Sequence, residues 1–322
     1  MLQQSMNFGA IFENNSMSSF LPSRDICLFT DFGVFILSSH NTIIVFGDII
    51  KSSLARTFSL NQSVSKIFDS VFQPLYQLTD RSYRSSPSTG TFDLSGDPIG
   101  PDYDISQFAE YIFLTSTGKL FQLTEDGFLQ LEFPGLENVK FLTHNNVSAT
   151  MAFINSPDQF YIWYINHSAI PTHVPLLKDV KDVSLGAYHG VVLHYDGSVT
   201  VFGSNKHLQL GIPEVQTVDV ASAIQIPHLP PMKMVSAGKF HTIALSVDGI
   251  PWIWGSDEEQ QGFLGLGEVY ATGPRQLPFT DVTFVAATAK NSFFSKGIGC
   301  FLLVRLYFLV MVKKIEMFFK NL

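Results

Sequence analysis

Two stretches of this chain repeat at a fixed offset, and that offset constrains the fold more than any other feature. DVSLGAYHGVVLHYDGSVTVFG, from Asp182 to Gly203, and MVSAGKFHTIALSVDGIPWIWG, from Met234 to Gly255, superimpose without a gap. Val183 falls on Val235, Gly186 on Gly238, His189 on His241, Leu193 on Leu245, Asp196-Gly197 on Asp248-Gly249 and Gly203 on Gly255, each 52 residues apart. Self-similarity at a constant period implies supersecondary units that bury their apolar faces against one another. Each stretch reads as two short apolar strands joined at Asp-Gly, which suits the positive φ values of a primed hairpin turn. The second strand closes on an aromatic and a glycine, Phe202-Gly203 in one copy and Trp254-Gly255 in the other. Pro251 stands at a strand start, where a missing N–H is tolerated.

Weaker copies flank these two. The segments 33–48, 111–123, 149–166 and 285–297 each keep part of the pattern, and the last begins a unit without finishing it. Lead-ins that place a proline ahead of an apolar strand recur at 133–142, 174–183, 226–235 and 277–285. Six units are legible in this way. A further degenerate unit is hidden, if anywhere, in 53–80, and the Ser-, Pro- and Gly-rich run near 81–101 reads as an exposed insertion.

Composition agrees with a large folded core. The 322 residues include thirty Phe, ten Tyr and three Trp, with 46% hydrophobic and only 15% charged residues. A chain this apolar has enough material to bury and is not dominated by disorder. The formal net charge is −8, and basic residues are scattered until the final segment. Direct nucleic-acid binding needs a concentrated basic face, so it is not expected. Cys27 and Cys300 are too few and too distant for a disulfide framework or a zinc ribbon, which points to a reducing compartment, the cytoplasm first and the nucleus as the alternative. The first twenty residues do not resemble a secretory signal.

A period near fifty with a glycine and an aromatic mark in each unit suits an all-β fold, the β-propeller. The kelch variant lacks its double glycine here and the WD variant its Trp-Asp ending. The recurrent Val-x-x-Gly-x-x-His, Leu-x-x-Asp-Gly and (Phe/Trp)-Gly-Ser-(Asn/Asp) resemble the repeat of the regulator of chromosome condensation family. The resemblance is specific over 183–211 and 235–267 and faint elsewhere. It implies a seven-bladed propeller, so six legible units mean either one unreadable blade or an incomplete ring. The family's Gly-Gln-Leu-Gly appears as Leu208-Gln209-Leu210-Gly211 and as Gly262-Phe263-Leu264-Gly265, so neither copy is complete.

The recurrent residues Gly186, His189, Asp196, Gly197, Gly203, Gly238, His241, Asp248, Gly249, Trp254 and Gly255 are read as blade-forming, the two histidines with their ring nitrogens tied to backbone near the turn. The alternative for the histidines is a metal or catalytic role. No phosphate loop, nucleophile elbow or metal-spaced cluster is present, so no enzyme activity, cofactor, metal or catalytic residue is expected. Asp257, Glu258 and Glu259 form an acidic run after a hairpin, a solvated turn or alternatively a partner contact. The tail 298–322 breaks the repeat; its apolar run 298–312 contains Arg305 and is short of the roughly 20 residues a membrane helix needs. It reads as sequence foreign to the propeller of 1–297, as from a translated intron or a shifted frame, or alternatively as a membrane anchor flanked by Lys313-Lys314. The expected function is a non-enzymatic protein-interaction scaffold whose loops bind a protein partner. Two alternatives stand against it: guanine nucleotide exchange on a small GTPase, which the resemblance implies, and membrane tethering of the propeller, which the apolar tail suggests.

Overall fold

The computed structural model describes the strands between 26 and 109 and residues 112–124, 127–145, 149–257, 264–266, 269–288, 292–296 and 299–303. They form seven consecutive antiparallel sheets. The chain divides into two compact units between Leu142 and Thr143.

In the first unit, the first sheet holds strands Ile26–Thr30, Gly33–Ser38, Thr42–Gly47 and Ser52–Ser59. The second holds Val64–Phe68, Leu75–Leu78 and Tyr83–Ser85. The third holds Ile105–Ala109, Ile112–Thr115, Leu120–Thr124 and Gly127–Leu131. The second sheet is the unit that the repeat pattern misses. It takes Tyr83–Ser85 out of the expected insertion, while 86–101 lies outside the described residues. Phe113 and Phe121 stack at 5.3 Å within the third sheet, both buried.

The second unit continues from the fourth sheet, with strands Phe141–Asn145, Thr150–Ser156, Gln159–Tyr164 and Thr172–His173. The fifth contains Val180–Leu185, His189–His194 and Val199–Ser204, and its outer edge is shared by Thr217–Val218 and Ile224–Gln225. Met232–Ala237, His241–Ser246, Pro251–Ser256 and Tyr270–Gln276 make the sixth. The seventh contains Val282–Ala287, Ser292–Lys296 and Gly299–Leu303. Gly299–Leu303 pairs in register with Ser292–Lys296. The boundary expected at 297/298 therefore falls inside a sheet, because the apolar run after Gly299 can pair as a strand whatever its origin. Among the described residues no helix is long and apolar enough to cross a membrane.

From the third sheet to the seventh, the second strand is buried along most of its length, which explains its unbroken apolar run in place of alternation. His241–Ser246 is buried at every position, whereas Tyr270–Gln276 at the edge is mostly open. Trp254, Phe153, Phe160, Phe284 and Phe294 are the largest fully buried side chains of this unit, each contributing on the order of 1.5–3 kcal/mol.

Each of the two strong stretches contains three strands where two are expected. Val180–Leu185 and Met232–Ala237 turn at Gly186–Tyr188 and Gly238–Phe240 before the buried second strands begin. The Asp-Gly hairpins also differ from the primed type. Gly249 N–H donates to Ser246 O at 3.0 Å and Ser246 N–H to Ile250 O at 2.9 Å, while positive φ is confined to Gly249 at +77°. This is a three-residue loop, a type I turn followed by a left-handed glycine. Gly118 and Gly197 repeat it at +81° and +84°. Aspartate keeps an ordinary φ and glycine alone takes the left-handed one, so the turn meets the strands without a second strained residue.

Candidate functional site

The recurrent turns are where neighbouring sheets of the second unit are joined. Gly197 O accepts the Met232 N–H at 2.8 Å and Gly249 O accepts the Val282 N–H at 3.0 Å. Each hairpin glycine thus fastens the start of the next sheet. Asp196 Oδ1 accepts the Ser198 N–H at 2.8 Å, closing its own turn. The Ser198 hydroxyl, and after it that backbone bond, hold the Asp196 carboxyl below the usual carboxylate range.

At the opposite ends of these strands sit the histidines. His189 Nε2 lies 2.9 Å from Thr242 Oγ1 of the next sheet, and His241 Nε2 lies 3.0 Å from Ser292 Oγ of the one after. The ring partners are hydroxyls across the sheet interface, not backbone near the turn. Serine hydroxyls run beside them: Ser184 Oγ accepts the Ala237 N–H at 3.0 Å and Ser236 Oγ the Ala287 N–H at 2.9 Å. The Thr242 hydroxyl donates to Gln209 O at 3.1 Å, and Trp254 Nε1–H donates to the same carbonyl at 2.9 Å. A carbonyl only accepts, so the single Thr242 proton is committed and His189 must carry its hydrogen on Nε2. Gly186 leaves room for that ring, since a Cβ there would overlap His189 and stand 2.6 Å from Gly238 O. Burial, aided by His241, holds the His189 imidazole down to about 3.

Trp254 and Gly255 build the next layer. The Trp254 indole packs on Gly211, whose added Cβ would meet Cδ1 at 2.9 Å. Gly203 and Gly255 adopt φ of +101° and +111°, facing the backbone of Tyr188-His189 and Phe240-His241. Asn205 organises the loop between: its Nδ2 donates to Ile212 O at 2.7 Å and Val215 O at 2.6 Å, and its Oδ1 accepts the Leu210 N–H at 2.8 Å. Leu208, where the family repeat has glycine, takes a left-handed φ of +62°.

Asp257 does not stand on a solvated turn. It is 3% exposed, and its N–H donates to Val269 O at 2.7 Å as Asn205 N–H donates to Gln216 O at 2.7 Å. The repeat places Asp257 at the Asn205 position, which burial of the loop's anchor demands; Glu258 and Glu259 lie outside the described residues. What the turns do present to solvent lies between the recurrent glycine and histidine, apart from the buried Ala187. Tyr188 is 47% exposed, and Lys239 and Phe240 are partly exposed. Their carbonyls are pinned, Tyr188 O by the Ser204 N–H and Phe240 O by the Ser256 N–H, both at 2.8 Å. Repetition hides this signal, because the displayed side chains, Tyr188 in one copy and Lys239 and Phe240 in the other, stand at positions that vary between copies.

A half-buried carboxyl and a buried imidazole, shifted in opposite directions, predict a pH signature. Asp182, on the first strand of the fifth sheet, is pushed up to about 7 by burial, against the Val183 N–H at 2.8 Å and Lys181, which both lower it. A carboxyl raised on folding costs stability as pH climbs from about 4 to 7, whereas the depressed His189 costs stability as pH falls from about 6.5 towards 3. Over the shared interval the two slopes oppose each other. Relative to wild type, Asp182→Asn is expected to gain stability as pH rises from 4 to 7, and His189→Asn to lose it from 4 to 6.5. The limit for each is about 1.4 kcal/mol per pH unit. Urea titrations at several pH values check both, and parallel profiles for variants and wild type would refute the assignment.

Comparison with known proteins agrees with this geometry. The sequence profile of the Regulator of chromosome condensation (RCC1) repeat matches residues 180–209. Regulator of chromosome condensation from Mus musculus is 36% identical over 102 residues, covering 30% of this chain and 23% of that protein. Guanine nucleotide exchange factor SRM1 from Saccharomyces cerevisiae is 30% identical over 125 residues, 35% of this chain and 23% of its own. The match spans about a quarter of the length of these curated relatives. The crystal structure of Prp20p from Saccharomyces cerevisiae, a protein described with its binding properties to Gsp1p and histones, superimposes with a TM-score of 0.65. That superposition holds at 14% identity and covers 100% of this chain and 94% of the other. The fold is therefore a β-propeller. The unit at 180–209 matches the regulator of chromosome condensation repeat, and the stretch around His241 carries the same marks 52 residues on.

Proposed function

We propose that this chain is a regulatory propeller that binds a protein partner and catalyses no reaction of its own. One observation carries the reading. The residues that recur at the turns are spent on joining sheets, His189 on Thr242 and His241 on Ser292, while Tyr188 and Phe240, which differ between copies, are held at the surface on pinned carbonyls. Chemistry that needs a mobile acid, base or ligand has little to draw on in such buried, committed groups, whereas exposed side chains on a rigid frame suit recognition.

The relatives favour a second reading, exchange of guanine nucleotide on a small GTPase. Guanine nucleotide exchange factor SRM1 carries that activity in its name, and Prp20p is described with its binding to Gsp1p. One experiment separates the two. The tagged full chain is used to capture proteins from its own cells, and any captured GTPase is purified, loaded with a fluorescent GDP analogue and mixed with the chain. A defined partner with unchanged GDP release supports the scaffold. Release accelerated by about tenfold or more, a barrier reduction near 1.4 kcal/mol, overturns the non-enzymatic reading in favour of exchange.

A further inference from the structure

The displayed residues of the fifth and sixth sheets converge on one ring. Phe240 is stacked by Tyr188 at 5.8 Å and 9°, contacted by His207 at 4.0 Å, and covered by Lys239, whose Nζ lies 4.8 Å from the ring centroid. Tyr188 comes from the turn of the fifth sheet, Lys239 and Phe240 from the turn of the sixth, and His207 from the loop that Asn205 braces. Lys206, beside His207, is exposed. The ion pair among the described residues is Lys296–Asp281 at 3.2 Å, and neither Lys206 nor Lys239 takes part in one.

We infer that this aromatic and cationic patch binds an acidic peptide segment carrying aromatic side chains, an inference that rests on the protein-binding reading above. Charge complementarity selects the occupant. Lys239 stands over the stacked rings and exposed Lys206 adjoins His207 in the chain, neither with a carboxylate partner, so carboxylates meet the lysines while an apolar ring extends the stack. The chain as a whole carries −8, which opposes long-range attraction of a polyanion such as nucleic acid. Recognition of an acidic partner therefore depends on short-range contacts at this spot. The pinned carbonyls of Tyr188 and Phe240 fix the backbone and the mutual stacking holds the two rings before binding, which lowers the ordering cost.

The test uses the full chain and fluorescence anisotropy with three labelled probes of about twelve residues or nucleotides. These are a capped peptide alternating glutamate with tyrosine, its glutamine-for-glutamate twin, and oligothymidylate. The glutamate peptide is expected to bind, with the twin and the oligonucleotide at least about tenfold weaker. Lys206→Glu with Lys239→Glu, and separately Tyr188→Ala, are each expected to weaken the glutamate peptide by about tenfold or more. Tyr195→Ala, at the far end of the strand that follows Tyr188, leaves it unchanged. Should charge reversal lower the melting temperature, Lys206→Gln with Lys239→Gln carries the same comparison. Equal binding of the twin, preference for the oligonucleotide, insensitivity to the lysine and tyrosine changes, or no binding of the glutamate peptide overturns the inference. Partners captured from cells equally well by wild type and by these variants would leave the scaffold reading standing and remove only the patch. Failure of wild type to capture any partner would remove the reading beneath it.

Discussion

Gly186→Ala is expected to destabilise the chain by about 3 kcal/mol or more. The reason is space, not torsion. Gly186 has no left-handed φ, yet a Cβ would overlap the His189 ring and stand 2.6 Å from Gly238 O in the adjacent sheet. Neither neighbour can withdraw cheaply: the ring is held by Thr242 Oγ1 at 2.9 Å, and Gly238 is itself bound by its N–H to His241 O at 2.8 Å. Gly238→Ala meets the same obstruction from His241 and from Thr288 O at 2.7 Å. Gly249→Ala provides the contrast, because its φ of +77° makes it chiefly a torsional case, an added Cβ meeting nothing nearer than Val282 O at 3.1 Å, worth about 1–2 kcal/mol. Urea denaturation ranks the three. In a double-mutant cycle, His189→Ala is expected to recover part of the Gly186→Ala loss, since it removes one of the two obstructions. A Gly186→Ala protein within about 1 kcal/mol of wild type would show that the sheets can part there, contrary to the contacts described.

The same glycine shows where sequence reading stopped. Asp-Gly and the aromatic-Gly ending are strong local signals, and they located the hairpin that joins the second and third strands. The turn before it, Gly238-Lys239-Phe240, carries no familiar turn dipeptide, so the first two strands merge in the sequence into a single apolar run. Only packing explains that glycine, and packing against a neighbour 52 residues away leaves no local mark. The second sheet was illegible for a related reason. Val64–Phe68 and Leu75–Leu78 are short and lack the Asp-Gly turn and the closing aromatic-Gly pair, so the unit survives as backbone pairing without the repeat's vocabulary.

The candidate surface was hidden by the logic that revealed the fold. A repeat is recognised through what stays constant, and constancy here marks residues committed to the frame. Tyr188, Lys239 and Phe240 occupy the slots between constant positions and gain meaning only when two turns and the Asn205 loop meet in space. Asp257 misled in the opposite direction, because an acidic run looks solvated until the register puts its first member on the Asn205 position. Comparing the two strong copies position by position, with attention to mismatches, would have raised both points.

Trp254→Ala is expected to cost about 3–5 kcal/mol and to loosen the 205–211 loop along with the core. Trp254 is fully buried, and its loss removes a large apolar volume together with the surface on which Gly211 rests. It also takes away one of the two donors to Gln209 O, the Trp254 Nε1–H at 2.9 Å, leaving the Thr242 hydroxyl at 3.1 Å to hold that carbonyl alone. Trp254→Phe keeps most of the volume and is expected to cost about 1–3 kcal/mol, separating shape from hydrogen bonding. Thr242→Val approaches the same carbonyl from the other side. It deletes the hydroxyl donor while the indole stays, and strands His189 Nε2–H in a buried site, a cost of about 1–3 kcal/mol for an unmet polar group. Hydrogen exchange should therefore quicken at Leu210 and Gly211 in both Trp254→Ala and Thr242→Val, because each leaves Gln209 O with a single donor. A Trp254→Ala protein with wild-type exchange in this loop would mean that Asn205 alone holds it, and the indole serves the core without bracing the displayed surface.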